Sequence, residues 1–489
     1  MAAAGGAGPG RPVYFVDGCR TPFLKARGMP GPFRAADLAV AAGRALLARQ
    51  PFPPELLDEV VLGCIMPGPD EANLARIVAM RLGCGPRVPA WTVQRNCGSG
   101  LQALHSAAQA IACGRSELVL AGGTEAMSRA PLLLGDELVE LLAELARARS
   151  LGTRLRVLAR LRPRHLVPVS SLQRGLRDPI CGLGMGQTAE GLASSFGISR
   201  VRMDAFAVES HRRLAEAEDL GHLEERVPLF GPDGARYDRD EGLRRDTDLA
   251  GLARLRPAFE PPHGVITAGN SAQISDGAAC LLMASGAAVR RHGLPVLGRM
   301  EACHWAGLEP ERMGLGPVHA MAPILARRGL GSADVDAWEI NEAFAVQVLA
   351  CLDAWQSPEY ARAHLGLDAP FQAIDPGRLN VDGGGLALGH PVGCSGARIV
   401  LHLLQVLRRR RARLGMAALC IGGGQGGAML VHGAEGLDPV EPGGADGAGG
   451  ADGADGADGA GIPDGAAGIS SSTTTSFIAT TTTPAVTAA

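Results

Sequence analysis

His390 sits in the run Gly383-Gly384-Gly385-Leu386-Ala387-Leu388-Gly389-His390-Pro391-Val392-Gly393-Cys394-Ser395-Gly396, held between glycine-rich turns. Confining a titratable ring in this way suits proton transfer better than packing. Two cysteines would suit it as partners. Cys97 opens a turn, Asn96-Cys97-Gly98-Ser99-Gly100, whose glycines let the backbone approach a substrate. The helix expected from Leu101 would aim its positive end at a thiolate there. Among the 11 cysteines, Cys97 alone opens such a turn-to-helix junction directly. Cys420 ends an apolar run and faces Gly422-Gly423-Gly424-Gln425-Gly426-Gly427. Taken alone, a strand-end thiol reads more readily as a small buried hydrophobe. With a nucleophilic thiol and a base to take its proton, the set fits covalent catalysis.

Together with Asn341-Glu342-Ala343-Phe344, these segments resemble the four active-site signatures of the thiolases, over roughly residues 11 to 433. Thiolases make or break a carbon–carbon bond beside a coenzyme A (CoA) thioester. The resemblance implies that Cys97 becomes acylated, that His390 takes its proton, and that Cys420 shuttles the proton at the acetyl α-carbon. It assigns one oxyanion site to His390 with a water held by Asn341, and another to the backbone N–H groups of Cys97 and Gly422. Glu342 then reads as an orienting carboxylate and Cys394 as structural. For the coenzyme, Leu255-Arg256-Pro257-Ala258-Phe259 and Thr267-Ala268-Gly269-Asn270 match the family's loop segments. Arg244 falls where the family stacks an arginine near the adenine. Gly251 and Ala272 stand where serines are usual, and Ser271 comes one place early as a candidate CoA contact.

Positioning these groups requires an α/β scaffold. Leu118–Gly123 and Ala417–Gly423 read as buried strands ending in glycine turns, each after an amphipathic helix (101–112 and 397–409) that follows a small-residue turn. This points to an internal duplication, and the resemblance implies the thiolase fold, two similar α/β halves in an αβαβα sandwich with an inserted loop domain. The expected boundaries are 11–130 for the first half, completed by about 264–288, then 131–263 for the loop domain, 289–433 for the second half and 434–489 for a disordered low-complexity tail. Within the insert, a helix over 137–149 would set Leu138, Leu141, Leu142 and Leu145 on one face. Nine arginines follow up to Arg177. The segment 137–177 reads either as a solvated helix packed by its leucines or as a basic surface for an anionic membrane or a hydratase/dehydrogenase partner.

Composition narrows the classes. Lys25 is the single lysine, so neither a P-loop nor a pyridoxal phosphate site has its residue in context. The glycine runs lack the spacing and acidic partner of a dinucleotide site. The net charge of −3 includes eight acidic and no basic side chains in 435–489, which leaves the remainder mildly positive. That suits a small polyanion such as a CoA thioester. Nucleic acid is not expected, since dense basic stretches with interleaved aromatics are missing. No metal and no cofactor beyond CoA as substrate is expected, because the cysteines are scattered without Cys-x-x-Cys pairs. The first ten residues lack the marks of a secretory signal, so a cytoplasmic protein is expected, with peripheral membrane attachment through 137–177 as the second reading. The resemblance implies a homodimer or homotetramer. Gly184-Met185-Gly186, where acetoacetyl-specific relatives often carry a histidine, favours degradative 3-ketoacyl-CoA thiolases, similar to the trifunctional-complex β-subunit group. An acetoacetyl-CoA-forming acetyl-CoA C-acetyltransferase, a ketoacyl synthase and a non-catalytic acyl-CoA-binding scaffold remain as alternatives.

Overall fold

The computed structural model describes residues 10–437. Its main sheet is two copies of one pattern. In the first half, Glu59–Gly63 runs parallel to Leu118–Ala126, which pairs antiparallel with Ser275–Ser285, which pairs antiparallel with Val13–Arg20. In the second, Ala337–Ile340, Leu414–Ile421, Gln425–Gly433 and Gly298–Gly307 repeat those directions in that order. Ala90–Val93 extends the outer edge of the first half. The halves meet where Tyr14 and Phe15 pair with Arg299 and Gly298.

Alternation along the strands sorts side chains into three apolar layers, because successive residues point to opposite faces. Val119 and Ala121 face inward with Leu419 and Ile421, around Phe15, Leu101 and Leu401. Leu118 and Leu120 face the outer layer of the first half, under helix Ala35–Leu47. Met416, Ala418 and Cys420 face that of the second half, under helix Gly316–Arg328. Helices Ser99–Ala112 and Val392–Arg410 lie back to back between the half-sheets, which makes the five-layer αβαβα sandwich expected from the thiolase resemblance.

Here one expectation is corrected. Cys394-Ser395-Gly396 is not a turn before the second central helix but its first turns, since the helix starts at Val392 behind Pro391. The small residues serve the crossing of the two helices. A Cβ at Gly396 would stand 2.5 Å from the Leu101 nitrogen, and one at Gly100 would stand 2.8 Å from the Ala397 nitrogen. The two backbones touch, and only glycine permits that.

Between Leu118–Ala126 and Ser275–Ser285 the chain makes its long excursion, at the point where the second half has only Gly422-Gly423-Gly424. Helices Met185–Phe196 and Arg200–Asp219 of this insert bury Ala189, Leu192, Met203 and Ala207 in the outer core of the second half. The amphipathic helix expected over 137–149 is present as Asp136–Arg147, and a second, Leu151–Leu158, follows it, capped by Ser150, whose Oγ accepts from the Thr153 N–H at 3.2 Å. Leu138 and Leu141 point inward as expected, but Leu142 is 47% exposed. Beyond residue 437, the expected low-complexity tail lies outside the described residues.

Candidate active site

Cys97 is presented by a tight turn that its neighbours lock. Asn96 takes a left-handed backbone, φ 43°. Its side-chain N–H donates to the Gly422 carbonyl at 2.8 Å, which ties the Cys97 turn to the loop after Cys420. Ser99 Oγ accepts from the Arg95 N–H at 2.8 Å and donates to the Asn96 carbonyl at 2.7 Å. Burial pushes the Cys97 thiol up to about 11, against the backbone N–H groups of Gly422 and Cys97 itself, which favour the thiolate. The expected help from the helix start does not prevail, because no cation offsets the lost hydration. At rest Cys97 is a thiol and needs a base.

His390 can be that base. Gly389, at φ 107°, turns the chain so closely past Ser275 that no Cβ fits, and the His390 N–H donates to the Gln273 carbonyl at 3.0 Å. The ring is oriented by the helix that follows it. Ser395 Oγ lies 2.6 Å from His390 Nδ1 and 3.1 Å from the Pro391 carbonyl; with its proton on that carbonyl the serine accepts from Nδ1, which then carries the ring proton. Nε2 is then a bare lone pair, and it makes no hydrogen bond to another protein group. Burial, aided by the Arg398 charge, pulls the imidazole down to about 4. It is neutral at pH 7.

Cys420 ends its strand on the face turned away from the central helices. Burial, with the adjacent Cys97 sulfur, holds its thiol well above the ordinary value, where the family role had suggested a pKa near the working pH. Asn341 is buried behind Ala343 and Phe344 in sequence, and neither atom of its amide bonds to a protein group. Glu342 anchors the approach to His390, accepting from Asn380 Nδ2 at 2.8 Å, Ser210 Oγ at 2.7 Å and the Leu386 N–H at 3.2 Å.

Two cavities open on Cys97. One, of about 460 Å³, is lined by Cys97, His390 and Cys420 together with Arg244, Ser271, Lys25, Phe259 and Phe344. The other, of about 410 Å³, is lined by Cys97, Gly422, Ile65, Met66, Leu172, Leu176 and Ile180. Met185, Leu176 and Val392 border both. The structure thus gathers Cys97, His390, Cys420, Arg244 and Ser271 around one space, puts Gly422 on the other, and leaves Asn341 lining neither. Ser271 spends its hydroxyl proton on the Thr267 carbonyl at 2.7 Å. Cys394 is fully buried, away from both cavities.

Several working residues escaped the sequence reading. Ser395 and Asn96 act by hydrogen bonds that spacing does not reveal. Glu125 accepts from the N–H groups of Ile65, Met66 and Gly393 at 3.0 to 3.1 Å and so joins one cavity wall to the start of the His390 helix. Burial raises it to about 7. Lys25 lines the cavity with Arg244, and burial together with Arg244 and Arg27 lowers its ammonium. Being the single lysine was a signal of rarity, not of place.

Comparison with known proteins agrees with the fold. The family model described as "Thiolase, N-terminal domain" matches residues 13–287, and "Thiolase, C-terminal domain" matches 294–433. A 3-ketoacyl-CoA thiolase of Yersinia pestis is 36% identical over 423 residues, covering 86% of this chain and 96% of that protein. The crystal structure of human mitochondrial 3-ketoacyl-CoA thiolase is similar with a TM-score of 0.74 at 36% identity, covering 87% and 99% of the two chains, and it has also been solved in complex with CoA. The Bacillus anthracis acetyl-CoA acetyltransferase gives a TM-score of 0.75 at 34% identity, covering 87% and 100%. With both domain models matched across the duplicated sandwich that holds Cys97, His390 and Cys420, the chain belongs to the thiolase family and is an acyltransferase.

Proposed function

We propose that this thiolase cleaves 3-ketoacyl-CoA esters longer than acetoacetyl-CoA into acetyl-CoA and a shortened acyl-CoA, the carbon–carbon step of fatty-acid β-oxidation. The observation that carries this reading is the meeting of two cavities at Cys97. A substrate attacked at its ketone must extend in two directions from the sulfur, as a CoA thioester on one side and an alkyl chain on the other. The cavity with Lys25 and Arg244 suits the anionic coenzyme, with Ser271 at its wall. The second, walled by Ile65, Met66, Leu172 and Leu176, suits the chain.

The chemistry follows from the resting states. His390 Nε2 takes the Cys97 proton as the sulfur attacks the ketone carbon, and the oxygen gains negative charge. Backbone N–H groups of Cys97 and Gly422 face that charge in one half-reaction; protonated Nε2, with a water on the Asn341 amide, serves in the other. The bond between the α- and β-carbons breaks, Cys97 keeps the acyl group, and the acetyl-CoA carbanion takes the Cys420 proton. A high thiol pKa suits a donor to so strong a base. The Cys420 thiolate then removes the proton from incoming CoA, whose sulfur attacks the acyl-Cys97 carbonyl. Cys97 leaves and recovers its proton from His390. No resident cofactor or metal enters any step.

An acetoacetyl-CoA-forming acetyltransferase is the second reading, favoured by the similarity to the Bacillus anthracis enzyme. A ketoacyl synthase needs a second histidine where Asn341 stands, and a non-catalytic scaffold would have no use for a bare Nε2 beside two thiols. Homo-oligomerisation belongs to the same proposal, as does a cytoplasmic setting; among the described residues no helix is long and apolar enough to cross a membrane. Thiolysis rates should be measured across 3-ketoacyl-CoA esters of four to sixteen carbons, a range of roughly that span being enough to fill the second cavity. Rates of kcat/KM that rise beyond four carbons support the reading. Activity confined to acetoacetyl-CoA would replace it with the second.

A further inference from the structure

More than half of the large apolar side chains exposed among the described residues fall in one stretch, 132–180. Within it, helix Leu151–Leu158 turns Val157 inward and leaves Leu151, Leu155 and Leu158 exposed by 73%, 58% and 49%, a stripe spaced one turn apart. Val139 and Leu142 of the preceding helix, and Leu161, Leu166 and Val167 after it, are exposed as well. A soluble surface gains nothing from such a patch. The same stretch carries guanidinium groups that no carboxylate meets. Arg160, Arg164 and Arg174 pair with Glu144, Glu137 and Asp136, whereas Arg147, Arg149, Arg154, Arg156 and Arg162 form no ion pair among the described residues.

We propose that this hairpin of the insert is a docking surface for an anionic lipid bilayer, with the leucines entering below the headgroups and the five unpaired arginines lying at the level of the phosphates. Charge complementarity selects the occupant, because the five unpaired guanidinium groups face a single exposed unpaired carboxylate, Glu140, and sit around apolar side chains. Side-chain chemistry argues against a protein partner. Hot spots at protein interfaces are built largely on Trp, Tyr and Arg, with Leu and Val under-represented, and residues 131–181 contain no Phe, Trp or Tyr. Lipid acyl chains ask for no shaped anchors. Leu172 and Leu176 continue the insert from this hairpin to the second cavity beside Cys97, which would bring that cavity toward the bilayer. The proposal does not depend on the chain-length reading, since it concerns a surface apart from both cavities.

The full chain should be floated with vesicles of phosphatidylcholine alone and with an equal share of phosphatidylglycerol, at low and at physiological salt. Binding is expected to the anionic vesicles only, at least tenfold weaker at the higher salt. Two variants separate the contributions: Leu151, Leu155 and Leu158 changed together to Ser, and Arg147, Arg149, Arg154, Arg156 and Arg162 changed together to Gln. Each should lose binding at least tenfold while keeping turnover of a short soluble 3-ketoacyl-CoA, which also reports that the variant is folded. No binding to anionic vesicles at low salt would overturn the proposal, as would binding that both variants retain. Self-association or capture of a hydratase/dehydrogenase that the leucine variant abolishes, without vesicle binding by the unaltered chain, would assign the surface to a protein and overturn it equally.

Discussion

At the residue scale the site depends on proton positions. With the Ser395 hydrogen on the Pro391 carbonyl, the serine accepts from His390 Nδ1 and leaves Nε2 free. Changing Ser395 to Ala removes that acceptor and lets the ring protonate on the wrong nitrogen. We expect kcat to fall roughly 10- to 100-fold with little change in KM, less than the wrong-tautomer loss in a hydrolytic triad because the other donors remain. Steady-state kinetics on the folded variant would decide, and an unchanged kcat would mean that the serine merely packs. The acid limb follows from burial. With His390 pulled down to about 4, it stays unprotonated as pH falls well below neutrality, so kcat/KM should hold level and drop only as pH approaches about 4. An acid limb near 6.5 in kcat/KM would contradict this. In the proposed mechanism Cys420 serves the carbon–carbon step, so Cys420→Ala should lower thiolysis by about 10²-fold or more, while acetyl transfer from acetyl-CoA onto Cys97 persists. That Cys97, His390 and Cys420 line one site was legible from motifs, but the hydrogen bonds of Ser395, Asn96 and Glu125 were not, because spacing does not reveal them.

At the scale of elements, the two strand-to-helix units that carry Cys97 and Cys420 were legible because buried strands and glycine turns leave a clear pattern. The second central helix was expected over 397–409, and its earlier start at Val392 was missed for a physical reason. Glycine and serine, usual signs of a turn, were selected there for contact between helix backbones. Gly396→Val should therefore destabilise the protein by about 1–3 kcal/mol or more, read by denaturant unfolding, since neither backbone can give way. In the insert the first helix was legible from its leucine period, but not the exposure of Leu142, which belongs to that period yet stays 47% exposed. The second cavity offers a sharper test of an element. Leu172→Trp, on the short helix Ser171–Gly175, would fill space beside Cys97. Long-chain thiolysis should drop by about tenfold or more, with acetoacetyl-CoA cleavage spared, because a ring occupies volume that only the chain needs. Equal losses on both substrates would show that the cavity does not hold the chain.

For the whole molecule, buried charge holds the insert to the sandwich. His402, on the central helix, lies 3.1 Å from Glu225 and 3.2 Å from Asp382, while Arg20 bonds Glu225 and Asp240. Burial alone would lower His402, but Glu225, Asp382 and Glu339 raise it to about 10. A histidine raised on folding stabilises fully below its unfolded value near 6.5 and loses that contribution as pH climbs through about 10. Unfolding midpoints should therefore fall across that window, and His402→Gln should flatten the slope; a slope unchanged in the variant would place its origin elsewhere. None of this network could be read from the chain, whose partners lie far apart in sequence. The proposed covalent site also spans the molecule, with Cys97 from the first half and His390 and Cys420 from the second. The most direct measurement is to incubate the protein with a 3-ketoacyl-CoA, quench it, and map the adduct by peptide mass. The account predicts an acyl group on Cys97 alone, absent in His390→Ala, whereas an acyl group on Cys420 or Cys394 with Cys97 free would contradict it.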